Sequence, residues 1–316
     1  MRKVIENMFG QTDIRPVLID IGSAGAPPGI WKHIRRYSTY VGFDPDSKET
    51  SEIQGGSFYK TITVNKAIAS GKQSDEVLFY FTKSPHCSST LNPDTGSLSN
   101  YLFSDLFTVE TESKVPVVTL DSVMDNLSLP QIDWLKIDSQ GTDLRIFSGL
   151  SDKLRSRVLA VDIEPGLIDA YIGEDLFVDA HRYLTSNGFW LSNLNIYGAV
   201  RMRRSAMREI AKINKNISYR FVNEGVKKSP GWCEARYFRT INFLNEEKCS
   251  KREYALLWAF AILDKQFGFA VDLGIEYERI FGRDKISQAM KEGPISLMRR
   301  FRISHRIARF LKDKLK

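Results

Sequence analysis

Two apolar segments that each end in an acidic residue constrain the fold of this chain more than any other feature. The first covers residues 17–21 and leads into a glycine turn, with Asp20 two residues before Gly22. The second ends immediately before Asp44. A buried parallel strand, a glycine turn, a helix and a second strand with a terminal carboxylate are typical of α/β folds that bind an adenosine. A βαβ unit without a ligand would show the same pattern, so both interpretations stay open at this point.

The acidic residue before the glycine turn indicates which adenosine ligand to expect. In nicotinamide-binding turns the residues before the first glycine are normally apolar, because the pyrophosphate of the ligand lies there. The carboxylate of Asp20 would repel a pyrophosphate, but it suits a ligand with a cationic amino-acid end. We therefore predict S-adenosylmethionine as the cofactor, with Asp44 accepting hydrogen bonds from the ribose hydroxyls.

The alternation of short apolar runs with helical stretches extends from Pro16 to about Ile241. It predicts an α/β fold with a doubly wound, mostly parallel, Rossmann-like sheet that helices cover on both faces. The predicted strands are 17–21, 38–43, 57–64, 76–82, 114–119, 133–138, 157–163, 188–193 and 235–241. The predicted helices are 29–36, 46–53, 121–127, 142–155 and 175–187.

The texture of the sequence changes after Ile241, where strand-like runs stop. Residues 252–309 have a helical pattern, with breaks expected near Gly268, Gly282 and Gly293-Pro294. We therefore predict two domains: a cofactor-binding domain over 1–245 and a helical C-terminal region over 246–316.

The composition is compatible with a cytoplasmic enzyme. No apolar run reaches the ~20 residues that span a bilayer, and the N-terminus lacks the apolar core of a signal peptide. The three cysteines, Cys87, Cys233 and Cys249, are odd in number and far apart, which favours reduced thiols over a disulfide framework. No spacing of His, Cys and carboxylates resembles a metal site, so we expect none.

The net charge of +7 is concentrated at the C-terminus, where residues 299–316 contain eight Lys or Arg and one Asp. A basic patch at one end argues against a nucleic-acid groove through the fold. Within 295–316, one side of the predicted helix carries the apolar residues Ile303, Ile307, Phe310 and Leu311. Such a helix can lie on the inner face of an anionic membrane. Alternatively, it packs its apolar side on the preceding helices.

A third informative segment is 132–144, an apolar strand that ends at Asp138 and continues through Gly141 into a helix that starts near Thr142. In a doubly wound sheet, ligands bind beyond the carboxyl ends of the central strands. We therefore expect the carboxylate of Asp138 to face the site, although it could also cap the following helix.

Five motifs in this order resemble the FkbM family of methyltransferases over roughly residues 14–241. The motifs are Leu-Ile-Asp-Ile-Gly-Ser-Ala-Gly, Gly-Phe-Asp-Pro-Asp, Cys-Ser-Ser-Thr-Leu, Val-Thr-Leu-Asp-Ser and Asp-Trp-Leu-Lys-Ile-Asp-Ser-Gln-Gly-Thr-Asp-Leu. Members of this family use S-adenosylmethionine to methylate oxygen, typically hydroxyls of sugars or of polyketide-like small molecules. The chain departs from the usual family pattern at Gln140, where glutamate is commonest, and in the stiff sequence Ala-Pro-Pro-Gly at 26–29.

The resemblance also implies roles for particular residues. Those implied to hold the methionine end and the ribose are Asp20, Gly22, Ser23, Gly25 and Asp44. Those implied to lie near the adenine are Asn65, Ala67 and Ile68, while Ser88 and Ser89 match a recurring serine pair.

A sugar hydroxyl is a weak nucleophile, so a general base within hydrogen-bond reach would accelerate its methylation. The candidates for this base are, in order, Asp138, His86 in the polar loop 84–96, and Glu164 at a strand end. The basic segment 201–204 could meet a phosphate of the acceptor, or could be an ordinary solvated loop.

The sequence thus predicts an O-methyltransferase that acts on a hydroxyl of a sugar, a glycan or a related small molecule, including a lipid-linked one. Two alternatives remain at this stage: a nicotinamide-dependent oxidoreductase and a non-catalytic binding module. The oxidoreductase is opposed by Asp20 and by the absence of the Gly-x-Gly-x-x-Gly spacing.

Overall fold

The computed structural model describes residues 1–10, 12–23, 25–43, 51–54, 56–71 and 75–314, and for 301–314 the backbone alone. The described strands are β1 (Val17–Ile21), β2 (Thr39–Phe43), β3 (Ser51–Gln54), β4 (Lys60–Val64), β5 (Ala67–Ile68), β6 (Glu76–Thr82), β7 (Val109–Val118), β8 (Trp134–Ile137), β9 (Ala160–Ile163), β10 (Phe189–Ala199) and β11 (Ser229–Arg239). The described α-helices are α1 (Arg2–Gly10), α2 (Thr95–Leu98), α3 (Leu120–Asn126), α4 (Asp143–Ser148), α5 (Asp152–Arg155), α6 (Phe177–Ser186), α7 (Arg204–Ile213), α8 (Tyr219–Gly225), α9 (Ile241–Glu246), α10 (Lys251–Leu263), α11 (Phe267–Phe281) and α12 (Lys285–Lys314).

Eight strands form one large sheet in the order β10-β11-β9-β8-β1-β2-β4-β3. The five central strands, from β9 to β4, run parallel. At one edge β3 pairs antiparallel with β4, and on the other side β11 pairs antiparallel both with β9 and with the edge strand β10. The mostly parallel α/β architecture that the sequence predicts is therefore confirmed. A second, three-stranded sheet has the order β5-β7-β6.

Helices cover the large sheet on both faces, which explains why its central strands are continuous apolar runs. On one face, Leu18 and Trp134 pack against α10, with the rings of Trp134 and Phe260 4.8 Å apart. On the other face, Ile19 and Leu135 share a core with α3, α4 and α6. The domain boundary near residue 245 stays a prediction.

Several predicted helices differ from the structure. The helix predicted over 46–53 is wrong where it can be checked, because residues 51–54 form β3 and pair antiparallel with the free edge of β4. The remainder, 44–50, lies outside the described residues. The predicted helix 29–36 consists of two short 3₁₀ helices, Gly29–His33 and Arg35–Tyr37, while the predicted helix 142–155 divides at Gly149 into α4 and α5. Helices α1, α7 and α8 have no counterpart among the predictions.

The break predicted at Gly293-Pro294 is also wrong, because α12 continues through Pro294. A proline lacks the N–H that would bond the carbonyl four residues earlier. Here the carbonyl of Met290 accepts a hydrogen bond from the indole N–H of Trp258 at 2.8 Å instead, so it is not left unsatisfied. The breaks predicted near Gly268 and Gly282 are confirmed, because α10 ends at Leu263 and α11 begins at Phe267 and ends before Gly282. Within the described part of the chain, no helix has both the length and the apolar character needed to cross a membrane.

Candidate functional site

A cavity of about 650 Å³ lies beyond the carboxyl ends of the parallel strands. From β1 the chain builds outward to β2 and β4, and then returns to the other side of β1 to form β8 and β9. Such a reversal leaves a crevice between the two strands at the reversal, here β1 and β8, where ligands of open α/β sheets bind. One residue at the carboxyl end of each of four strands lines the cavity: Gly22 after β1, Phe43 at the end of β2, Asp138 after β8 and Glu164 after β9.

The glycine turn after β1 allows a close approach of the chain at Asp138. Gly22 has a φ of +80°, and a Cβ at this position would lie 2.2 Å from the carbonyl oxygen of Asp138. The N–H groups of Gly22 and Ser23 both donate to the carbonyl of Phe43, at 3.1 and 3.0 Å. A side chain at position 22 would therefore push apart two strand ends that line the cavity.

The structure brings together some of the predicted site residues at this cavity. Those that line it are Gly22, Ala67, Ile68, His86, Asp138 and Glu164. Those that lie outside its wall are Asp20, Ser23, Gly25 and Asn65. Asp44 falls outside the described residues. The roles assigned to all of them stay predictions.

Asp20 lies in a layer beneath the cavity and is only 3% exposed. One carboxylate oxygen, Oδ2, accepts a hydrogen bond from the Tyr40 hydroxyl at 3.0 Å. The other, Oδ1, has no hydrogen-bond partner among the described residues, and the ammonium of Lys136 lies 3.8 Å from it. Burial raises the pKa of the Asp20 carboxyl. A buried carboxylate oxygen without a hydrogen bond is costly, and the nearby ammonium of Lys136 offsets part of this cost.

Lys136 lies among three carboxylates because side chains two residues apart on a strand share a face, and parallel neighbours align in register. Its ammonium is 3.4 Å from Glu164, 3.7 Å from Asp138 and 3.8 Å from Asp20. Burial disfavours the charged ammonium, but the three carboxylates outweigh burial and raise the pKa of Lys136. One cation among three acids leaves an excess of acidic groups. The two acids of this group that line the cavity, Asp138 and Glu164, form what we call its acidic floor.

Of the three acids around Lys136, Glu164 has the pKa that is shifted furthest from its ordinary value. Burial, together with the nearby charge of Asp138, raises the pKa of Glu164 to about 8. A carboxyl with a pKa near neutrality can take up or release a proton at working pH, which is the property required of a general base.

The loop after β8 holds Asp138 toward the cavity. The amide of Gln140 donates to Asp138 Oδ1 at 2.6 Å. The Tyr171 hydroxyl lies 3.2 Å from the amide oxygen of Gln140 and 2.9 Å from the carbonyl oxygen of Cys87. An ionised glutamate could not donate this hydrogen bond, so the departure from the family pattern at Gln140 supplies a donor to Asp138. Asp138 makes no capping bond to α4, and the alternative role as a helix cap is therefore wrong.

Asp143 was not predicted, yet it ties the ends of β8 and β9 together. Its carboxylate is fully buried and accepts hydrogen bonds from the N–H of Ser139 at 3.0 Å and from the N–H of Glu164 at 2.7 Å. Burial raises the pKa of Asp143 to about 6. Its place five residues after Asp138, in the last of the five motifs, was the only signal in the sequence.

The serine pair in the polar loop also has defined contacts. Ser89 is buried and its hydroxyl donates to the carbonyl of Gln140 at 2.7 Å. The hydroxyl of Ser88 accepts from the N–H of Thr82 at 3.0 Å. The pair therefore attaches the polar loop, with His86, to β6 on one side and to the loop after β8 on the other.

An aromatic wall that sequence reasoning missed closes the cavity opposite the strand ends. Its members are Phe79, Phe103, Phe107, Tyr171 and Trp232. The segment 166–176 that carries Tyr171 is held by Glu174, whose carboxylate accepts from the N–H groups of Ala170 and Tyr171 at 2.7 and 3.1 Å. Burial raises the pKa of Glu174 to about 7. These residues come from separate strands and loops, so no local pattern links them. Among the described residues, no group of three His, Cys, Asp or Glu is arranged to hold a metal ion.

Comparison with known proteins places these observations in a family. The family model described as the methyltransferase FkbM domain matches residues 23–191, which contain β2 to β9 and most of the residues that line the cavity. No curated protein and no solved structure matches the chain. The matched region covers more than half of the sequence and includes four of the five motifs quoted above, and the chain therefore belongs to the FkbM family of methyltransferases.

Proposed function

We propose that this protein is an S-adenosylmethionine-dependent O-methyltransferase that acts on a hydroxyl of a sugar, a glycan or a related small molecule. The observation that carries the proposal is the acidic floor of a cavity at the reversal of the sheet, in a chain of a methyltransferase family. The reversal of the strand order at β1 in a mostly parallel sheet supports an adenosine ligand at this position.

The residues present fit S-adenosylmethionine by their chemistry. The cofactor carries a sulfonium and an ammonium, while Asp138 and Glu164 line the floor of the cavity. With Asp20 and Lys136 beneath them, these residues form a group with more acidic members than basic ones. Ala67 and Ile68 supply an apolar surface that suits an adenine ring. The volume of 650 Å³ lies within the range of roughly 300–1,000 Å³ typical of small-molecule sites.

The protein's part in such a reaction is orientation, exclusion of water and proton transfer. When bound, S-adenosylmethionine would supply the methyl group as an electrophile. The aromatic wall would pack on the apolar face of a sugar ring and fix the acceptor hydroxyl. Either Glu164 or Asp138 would accept the proton of that hydroxyl, and both line the cavity. His86 also lines it, on an exposed loop, and stays the third candidate.

Calorimetric titration of the pure protein with S-adenosylhomocysteine and with NAD tests this proposal against its alternatives. We expect one molecule of S-adenosylhomocysteine to bind per chain and NAD not to bind. Binding of NAD alone would support an oxidoreductase, and binding of neither would support a non-catalytic module.

We also propose that the protein works in the cytoplasm and that residues 295–316 contribute to peripheral contact with a membrane. The structure refines how that contact should be tested. Leu297 is buried in the core beneath α10, so a chain that ends at Pro294 would lose a core contact. A chain that ends at Arg300 removes the basic tail and keeps Leu297.

A further inference from the structure

The segment between β10 and β11, residues 200–228, is basic and largely helical, and the proposed methyl transfer assigns a role to none of its side chains. It consists of α7 and α8 with their connections, and we call it the α7–α8 segment. It contains nine Lys or Arg and two Glu. This excess of positive charge is separate from that of the C-terminal tail.

The α7–α8 segment is anchored at its base to the body of the protein. Met207 and Val222 are buried in a small core with Leu102 and Val200. At the same end, the Arg201 guanidinium donates to the Tyr101 hydroxyl at 2.8 Å, and Arg204 forms an ion pair with Asp105. These contacts therefore hold the α7–α8 segment in place on the body of the protein.

The apolar stripe of α7 continues beyond that small core into solvent. Met207, Ile210 and Ile213 are three residues apart on the helix and share a side. The first is buried, the second is half-buried and the third is 86% exposed. On α8, Phe221 is 61% exposed. Ile213 and Phe221, eight residues apart in the chain, are thus large exposed apolar side chains on a segment rich in basic residues, a combination that marks an interaction surface.

Several basic residues of the α7–α8 segment form no ion pair with an acidic residue that the structure describes. Within the part of the chain that the structure describes, no carboxylate lies within ion-pair distance of Arg208, Lys215, Lys227 or Lys228. These cations are available to an anionic partner. A nucleic acid would satisfy the cations, but its phosphate backbone offers nothing to Ile213 and Phe221. An anionic bilayer satisfies both, because basic side chains meet the headgroup phosphates while apolar ones enter the interface.

We propose that the α7–α8 segment docks the protein on the surface of an anionic lipid bilayer, with Ile213 and Phe221 inserted among the headgroups. Asn223 and Lys228 of the same segment line the cavity. Docking in this way puts the bilayer beside the cavity, which, on the proposed function, suits an acceptor attached to a lipid carrier.

Co-sedimentation with vesicles tests the docking directly. The vesicles are an equimolar mixture of phosphatidylserine and phosphatidylcholine, with phosphatidylcholine alone as the neutral comparison. We expect the full chain to sediment with the mixed vesicles at low salt and to be released at high salt. The double variants Ile213→Ser/Phe221→Ser and Lys215→Glu/Lys227→Glu should each bind at least ten-fold more weakly.

Matched controls alter equally exposed residues elsewhere. Ile275→Ser changes an isoleucine of α11 that is 55% exposed, and Lys32→Glu changes an exposed lysine after the glycine turn. Both should bind like the unaltered chain. The chain ending at Arg300, tested alone and with each double variant, separates the tail from the α7–α8 segment, and we expect it to keep salt-sensitive binding through that segment.

The proposal is overturned if the double variants bind as tightly as the controls, if removal of the tail alone abolishes binding, or if the protein retains single-stranded oligonucleotide but no vesicle. Equal binding to neutral vesicles would also contradict it. These outcomes are independent of the methyltransferase proposal, because vesicle binding requires neither cofactor nor acceptor. Titration of the Ile213→Ser/Phe221→Ser variant with S-adenosylhomocysteine should match that of the unaltered chain.

Discussion

Replacement of Gly22 by alanine should disrupt the proposed cofactor site through the contact between the glycine turn and the loop after β8. An added Cβ would lie 2.2 Å from the carbonyl oxygen of Asp138, so that oxygen must move by about 1 Å to reach an ordinary contact. The φ of +80° adds the cost of a left-handed conformation for alanine, about 1 kcal/mol. Overpacking in a rigid region adds about 1–3 kcal/mol. We therefore expect Gly22→Ala to lower the free energy of unfolding by about 2–4 kcal/mol.

Gly25→Ala is the matched control for this substitution. Gly25 also has a positive φ, +102°, but an added Cβ there would meet no atom within 4 Å. This variant should lose only about 1 kcal/mol of stability, which urea unfolding measures, while calorimetry measures the affinity of Gly22→Ala for S-adenosylhomocysteine. Equal stability of the two variants, or unchanged affinity of Gly22→Ala, would refute the argument that the turn and Asp138 meet at the site.

The remaining predictions concern charges. Asp138→Asn should reduce methyl transfer at least a hundredfold while it changes S-adenosylhomocysteine affinity less than tenfold; poor binding with normal turnover would reassign Asp138 to the cofactor. Since burial raises the pKa of Glu164 from 4.5 to about 8, the proton it binds stabilises the fold fully below pH 4.5, and this contribution is lost as the pH rises to about 8. Urea unfolding of Glu164→Gln and the unaltered chain at pH 5, 6.5 and 8 should show this loss only in the unaltered chain, at most about 1.4 kcal/mol per pH unit; parallel profiles would contradict the burial argument. Arg252→Ala should cost about 3–5 kcal/mol of stability, because it leaves Asp133, which is 1% exposed and bonded to Arg252 at 2.7 and 2.8 Å, as an uncompensated buried charge. A loss below 1 kcal/mol in urea unfolding would contradict this.

The strand ends could be predicted because each is a local pattern with a strong physical cause. A buried parallel strand needs an apolar run, and the turn after β1 needs a glycine at position 22. The segments 17–22 and 132–138 can therefore be recognised from the sequence as strands and the turns that follow them. The antiparallel edge strand β3 could not be predicted, because Ser51–Gln54 is exposed and its strand conformation depends on the free edge of β4.

The wall of the cavity escaped prediction for a related reason. Phe103, Tyr171 and Trp232 come from three separate parts of the chain and meet only once both sheets are assembled. The uninterrupted course of α12 through Pro294 likewise depends on a distant partner, the indole of Trp258. In both cases the deciding contact joins residues far apart in sequence, which no local pattern reveals.

The central claim is that the cavity between the ends of β1 and β8 binds S-adenosylmethionine. Photocrosslinking with radiolabelled S-adenosylmethionine, followed by mass mapping of the labelled peptide, tests it most directly. We predict saturable labelling that S-adenosylhomocysteine competes away and that maps to residues lining the cavity, within 21–22, 66–68 or 138–142. Saturable labelling that maps to α10–α12, or labelling that NAD displaces and S-adenosylhomocysteine does not, would contradict the claim.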